Sequence, residues 1–100
     1  MWLEGKGVVQ DYKETVKWWR KSAEQGLANA QSNLGRSYAL GNGVIQDKVY
    51  AHMWWNIAAS NGNAGAVKYR DMIAKEMTAS QMAEAQKLAR ACVAKKYKGC

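Results

Sequence analysis

Gly5-Lys6-Gly7-Val8-Val9-Gln10-Asp11 returns 36 residues later as Gly41-Asn42-Gly43-Val44-Ile45-Gln46-Asp47, and Trp18-Trp19 returns as Trp54-Trp55. Laid over one another, residues 5–40 and 41–76 share 11 identities, the others being Ala23, Gly26, Ala28 and Ala30 with their partners, where ordinary composition gives about two by chance. A repeat of this period marks a stacked array, in which each unit covers its apolar face with its neighbour.

Each repeat reads as a helix pair. Asp11 and Asp47 stand where an N-cap belongs, directly after a Gly-x-Gly-Val loop, and Gly26 and Gly62 stand where a helix ends in the left-handed conformation. This spacing predicts first (A) helices over about 12–25 and 48–61, and Ala-rich second (B) helices over about 28–40 and 64–76. Thr78-x-x-Gln81 is a capping box opening a last helix over about 79–96, with Met82, Ala85, Ala89, Cys92 and Val93 on one stripe. One domain over 1–100 results: repeat 1 about 5–40, repeat 2 about 41–76, and a capping helix about 78–97.

Composition agrees. Pro and Phe are absent, so burial falls to five Trp, five Tyr, five Met and many Ala, and nothing alternates at period two as a strand requires. The class is all-α. No run of about 20 apolar residues is present, the longest uncharged stretch (49–67) being broken by His, Asn, Ser and Gly, so a soluble product without a membrane span or an intact export signal is expected. On the first A helix Thr15, Trp18, Trp19, Ser22 and Ala23 share about 140° of arc, as do Ala51, Trp54, Trp55, Ala58 and Ala59 on the second. Indoles beside small residues let the next helix approach closely, and Gly35, inside a B helix, is expected to admit another backbone.

The string Leu34-Gly35-x-x-Tyr38-x-x-Gly41-x-Gly43-Val44-x-x-Asp47-x-x-x-Ala51-x-x-Trp54-Trp55-x-x-Ala58-Ala59-x-x-Gly62 resembles the Sel-1-like repeat, a branch of the tetratricopeptide-type α/α solenoids. The likeness covers roughly residues 2–72 and implies a right-handed solenoid of two hairpins plus a C-terminal cap, similar to bacterial members. Three departures stand out: Met1-Trp2-Leu3-Glu4 is only the tail of a preceding B helix, Arg70-Asp71 replaces Leu-Gly in the second B helix, and Thr15 replaces the usual Ala.

The resemblance implies a scaffold or adaptor that holds a protein or peptide on a concave surface formed by exposed A-helix residues. In many bacterial members that role serves host contact, envelope processes or signalling. Opposite the buried arc lie Lys13, Lys17, Arg20 and Glu24 in the first repeat and Val49, Met53, Asn56 and Ser60 in the second. Lys13, Lys17, Arg20, Val49, Met53 and Asn56 are therefore the candidate partner-binding residues: a basic column beside a mildly apolar one, suited to an acidic segment with apolar anchors.

A net charge of +7 supports a second reading, a basic nucleic-acid-binding module, since Lys87, Arg90, Lys95, Lys96 and Lys98 follow the last acid, Glu84. No nucleic-acid motif accompanies it, and the Trp pairs are accounted for by packing. A third reading is a purely structural fragment of a longer array. Some relatives of the fold are described as binding or cleaving β-lactams, but none of Ser22, Ser32, Ser37, Ser60 and Ser80 is followed three residues on by Lys. His52, the single histidine, has neither a Cys nor paired carboxylates at ligand spacing and reads as a partly exposed helix residue near Trp55. No catalytic residue, cofactor or metal ligand is expected.

Cys92 reads as a small buried hydrophobe, and a tail turning back at Gly99 could bring Cys100 to it in an oxidising compartment. Secreted relatives carry disulfides that recur in each repeat, and these repeats contain no Cys, so the bridge and the compartment, cytoplasmic or exported, stay open. Arg70 falls on an otherwise apolar face and must emerge at its edge or pair with a carboxylate such as Asp71 or Glu84, or with the helix C-terminus. An uncapped N-terminal end would expose Trp2 and Leu3 and favour self-association.

Overall fold

The computed structural model describes residues 11–100, which form five α-helices and, among those residues, no strand. They are α1 (Tyr12–Ala23), α2 (Ala28–Leu40), α3 (Lys48–Ser60), α4 (Ala64–Ala74) and α5 (Ala79–Ala94). Trp2, Leu3 and the first Gly-x-Gly loop, on which the expected N-terminal self-association rests, lie outside the described residues.

The caps are local in origin. Asp11 accepts from the Glu14 N–H at 3.1 Å, Asp47 from the Tyr50 N–H at 3.1 Å, and Asn63 from the Ala66 N–H at 2.9 Å. Each satisfies a donor that a helix start leaves orphaned. Thr78 and Gln81 complete the capping box of α5. Four helices end earlier than the spacing predicts, at Ala23, Ser60, Ala74 and Ala94. At the first two of these ends a closing bond, Leu27 N–H to the Ser22 carbonyl (3.3 Å) and Asn63 N–H to the Ala58 carbonyl (3.0 Å), turns the chain through the left-handed Gly26 and Gly62.

The loop joining α2 to α3 is tied down at both glycines. Gly41 is the left-handed C-cap of α2, its N–H donating to the Ser37 carbonyl at 2.8 Å. Gly43, at φ +80°, lies so close to the start of α1 that a Cβ there would stand 2.5 Å from the Tyr12 carbonyl oxygen. Asp47 N–H and the Gln46 side chain then bond back to the Tyr38 and Ala39 carbonyls. The helices pack in sequence, α1 on α2, α2 on α3 and α3 on α4, and α5 returns to lie against α3.

One core joins Val16 and Ala23 of α1, Leu34 of α2, Met53, Trp54 and Ile57 of α3, and Ala89 and Cys92 of α5. A second joins Ala51, Trp55 and Ala58 to Ala66 and Ile73 of α4. In the second, the Trp55 indole donates to the Ser32 carbonyl at 3.0 Å and its ring occupies the space over Gly35, where a Cβ would meet it at 2.7 Å. Gly35 thus admits an indole and not, as expected, a backbone. Buried Gln31 joins three helices, donating to the Ala23 carbonyl (3.1 Å) and accepting from the Asn61 amide (2.9 Å).

The tail after α5 folds back. Cys92 and Cys100 form a disulfide, the alternative left open by the sequence, and Cys92 is also fully buried. Tyr97, inside the closed loop, packs against the first core and receives a hydrogen bond from the Asn61 amide at 3.2 Å. Closing a loop of this size restricts the unfolded chain by about 2.5 kcal/mol in the chain-entropy account. Reduction is therefore expected to lower Tm by roughly 10 °C or more. Calorimetry with and without reductant checks this, and a Cys100→Ser variant that melts like the oxidised wild type would contradict it.

Candidate functional site

The six candidate residues fall into two environments. Lys13 and Lys17 are exposed on α1, and Arg20 is half-buried because its guanidinium donates to the Tyr38 hydroxyl at 2.9 Å. Lys21 stands with its ammonium 5.0 Å from the centroid of Trp18, a cation over an aromatic face. On α3, Val49 and Asn56 are half-buried, but Met53 is only 1% exposed. Met53 cannot serve as a surface anchor: α5, with Ala85, Ala89 and Cys92 on its buried side, lies along α3 and covers it. Lys17, at the equivalent place on α1, stays open.

The tryptophans divide in the same way. Trp54 is fully enclosed, whereas Trp18, its repeat partner, is 60% exposed and not buried as expected. Trp54 is surrounded by the first hairpin and α5, whereas Trp18 lies on the open side of α1 with Lys21 over its ring. Trp18 is thus a surface residue that the repeat pattern alone places in the core. Its signal was the lysine-rich setting, Lys17 and Lys21, which Trp54 lacks.

His52 is buried and its Nδ1 finds no partner, so its placement differs from the partly exposed one expected. Val16 occupies the equivalent place in α1, showing that the position belongs to the core. Burial and then the Arg70 cation push the imidazole below its ordinary value of 6.5, with Asp71 opposing. As pH falls through 6.5 the unfolded chain takes a proton that the folded chain resists, so stability declines from there toward the lower folded value. His52→Val is expected to flatten the fall in Tm between neutral and mildly acidic pH, and equal slopes would contradict this assignment.

Arg70 pairs as one of its two alternatives required. Its Nε donates to Asp71 Oδ1 and a terminal nitrogen to Asn56 Oδ1, each at 3.2 Å. That second bond fixes the Asn56 amide beside an open groove of about 420 Å³ between α3 and α5, lined on its apolar side by Ile57, Ala89 and Val93. No group of three or more His, Cys, Asp or Glu that could hold a metal occurs among the described residues. Nor is any described helix long and apolar enough to cross a membrane.

Two consecutive segments, residues 2–27 and 28–63, match the family model of the Sel1 repeat. The chain belongs to the Sel1 repeat family. The match at 28–63 spans α2 and α3, so the Sel1 period of 36 residues is counted there from the B helix. A solved structure of a protective antigen present in uropathogenic Escherichia coli strains, displaying an SLR fold, superposes with a TM-score of 0.85 at 39% identity. The alignment covers 93% of this chain and 20% of that one, so the chain spans about a fifth of the relative's length. No curated protein sequence matches. Sel1 repeats generally act as protein–protein interaction modules and form a non-enzymatic scaffold family, and the five-helix solenoid agrees with that class.

Proposed function

We propose that this Sel1 chain is an adaptor that binds an acidic protein or peptide segment on the exposed, concave face of its A helices, chiefly α1. The observation that carries the reading is the open arc of α1: a Trp18 ring that is itself 60% exposed shares its patch with Lys17, Arg20 and Lys21, which outnumber Glu14 and Glu24 there, and Lys13 is exposed on the same helix. Arg20 lines the same patch, and Val49 and Asn56 are the partly accessible candidates on the second A helix, α3. Aromatic surface beside cations is the composition of an interface anchor, with the charges steering an acidic partner toward it. The two hairpins, about 5–40 and 41–76, with the cap at about 78–97, are taken as one unit presenting this face.

The test is affinity capture with the wild type beside a Lys13→Glu/Lys17→Glu/Arg20→Glu variant, with circular dichroism to verify equal helicity. The variant is expected to lose at least one partner by about tenfold or more. Capture that depends only on Lys95, Lys96 and Lys98, and that weakens steeply with salt on added oligonucleotide, would instead support nucleic-acid binding.

A further inference from the structure

We infer that the groove between α3 and α5 is a specificity pocket of this Sel1 surface, holding a partner carboxylate at Arg90 and Asn56 and an adjoining aliphatic side chain on Ile57, Ala89 and Val93. The inference rests on the protein-binding reading and adds to it a second contact on α5 with a defined ligand chemistry.

The groove's charge is of one sign. Among the described residues Arg90 is the only ionised side chain lining it and has no carboxylate within ion-pair distance. Asn56 presents its amide as a donor, because its Oδ1 already accepts from Arg70. The Ser60 hydroxyl gives its proton to the Ile57 carbonyl at 2.8 Å and does not compete as a donor. A guanidinium and an amide N–H facing one space suit an anion with two acceptor oxygens.

The apolar side narrows the choice. Val93 is about half exposed, at 48%, and with Ile57 and Ala89 it forms a floor that would rest against an alkyl chain rather than a second charge. Among the described residues no aromatic ring lines the groove to offer the stacking platform on which single-stranded bases are held. The wider field is positive as well, because residues 85–100 carry Lys87, Arg90, Lys95, Lys96 and Lys98 and no acid. An acidic peptide segment in which aspartate or glutamate adjoins leucine, isoleucine or valine meets all of these features.

A fluorescein-labelled octapeptide alternating aspartate with leucine is the probe. Octapeptides alternating lysine with leucine and aspartate with serine are the controls, read by fluorescence anisotropy on the full chain. The wild type is expected to prefer the aspartate–leucine peptide over either control by about tenfold. Arg90→Glu should erase the preference over the lysine–leucine peptide, and Val93→Ser should weaken it several-fold, both with unchanged helicity because the two side chains are exposed. Absence of preference in the wild type at millimolar peptide, or a preference that survives Arg90→Glu, overturns the inference. So does tighter binding of an oligouridine with the same Arg90 dependence. Should Arg90→Glu be silent while Lys17→Glu abolishes binding, the A-helix surface stands and the pocket alone fails.

Discussion

Trp54→Ala is expected to remove about 3–5 kcal/mol, a large share of the chain's stability, whereas Trp18→Ala, the same change at the equivalent place in the first repeat, is expected to be nearly silent. Trp54 is fully enclosed in the first core, which joins its own Met53 and Ile57 to Leu34 of α2 on one side and Ala89 and Cys92 of α5 on the other. Emptying such a site costs about 3–5 kcal/mol, against a total of roughly 5–15 kcal/mol for a chain of this size. Few helices surround the void, so collapse around it would have to move α1 or α5 as a whole. Trp18 is mostly exposed and loses little beyond its contact with Lys21, under about 1 kcal/mol. Urea unfolding of both variants followed by circular dichroism checks the contrast. Similar midpoints for the two would show that the repeats are equivalent in packing as well as in sequence, contrary to the structure.

Gly43→Ala should be the most damaging exchange among the turn glycines, lowering stability by about 2–4 kcal/mol. Two penalties coincide there. The backbone is at φ +80°, and the added methyl would lie 2.5 Å from the Tyr12 carbonyl oxygen and 2.7 Å from its carbon, which are main-chain atoms that cannot rotate away. Relief requires the loop to lift from the first turn of α1, where Val16 enters the core. Gly62 is the control: its φ is +102°, but nothing lies within 4 Å of an added Cβ. Gly62→Ala should therefore carry only the conformational cost, about 1 kcal/mol. Thermal melts of the pair separate the two causes, and equal losses would mean that the close approach to α1 contributes nothing.

What the sequence disclosed was what each repeat does on its own. The Asp11 and Asp47 caps, the Thr78–Gln81 box and the Gly41 turn depend on residues a few positions apart, and the structure realises each of them. What it hid depends on a residue's place in the stack. Lys17 and Met53 occupy the same position in the two repeats, as do Trp18 and Trp54, yet one of each pair is open and the other enclosed. Nothing in the 36-residue pattern says that α5 returns to α3 rather than extending the array beyond α4. His52 was misplaced for a related reason: an imidazole at the edge of a helical wheel reads as exposed, and only its alignment with Val16 would have put it in the core. Of the candidate surface, the basic column on α1 was therefore legible, while the groove against α5 was not, because its two walls lie about 30 residues apart in the chain.

Site-specific photo-crosslinking tests the functional claim most directly. A photoreactive amino acid placed at position 17, on the open arc of α1, is expected to give a covalent adduct with a captured partner. The same group at position 72, where Met72 is 61% exposed on α4, should give none. Adducts from position 72 alone would put the partner on the B helices and contradict the assignment of the A-helix face.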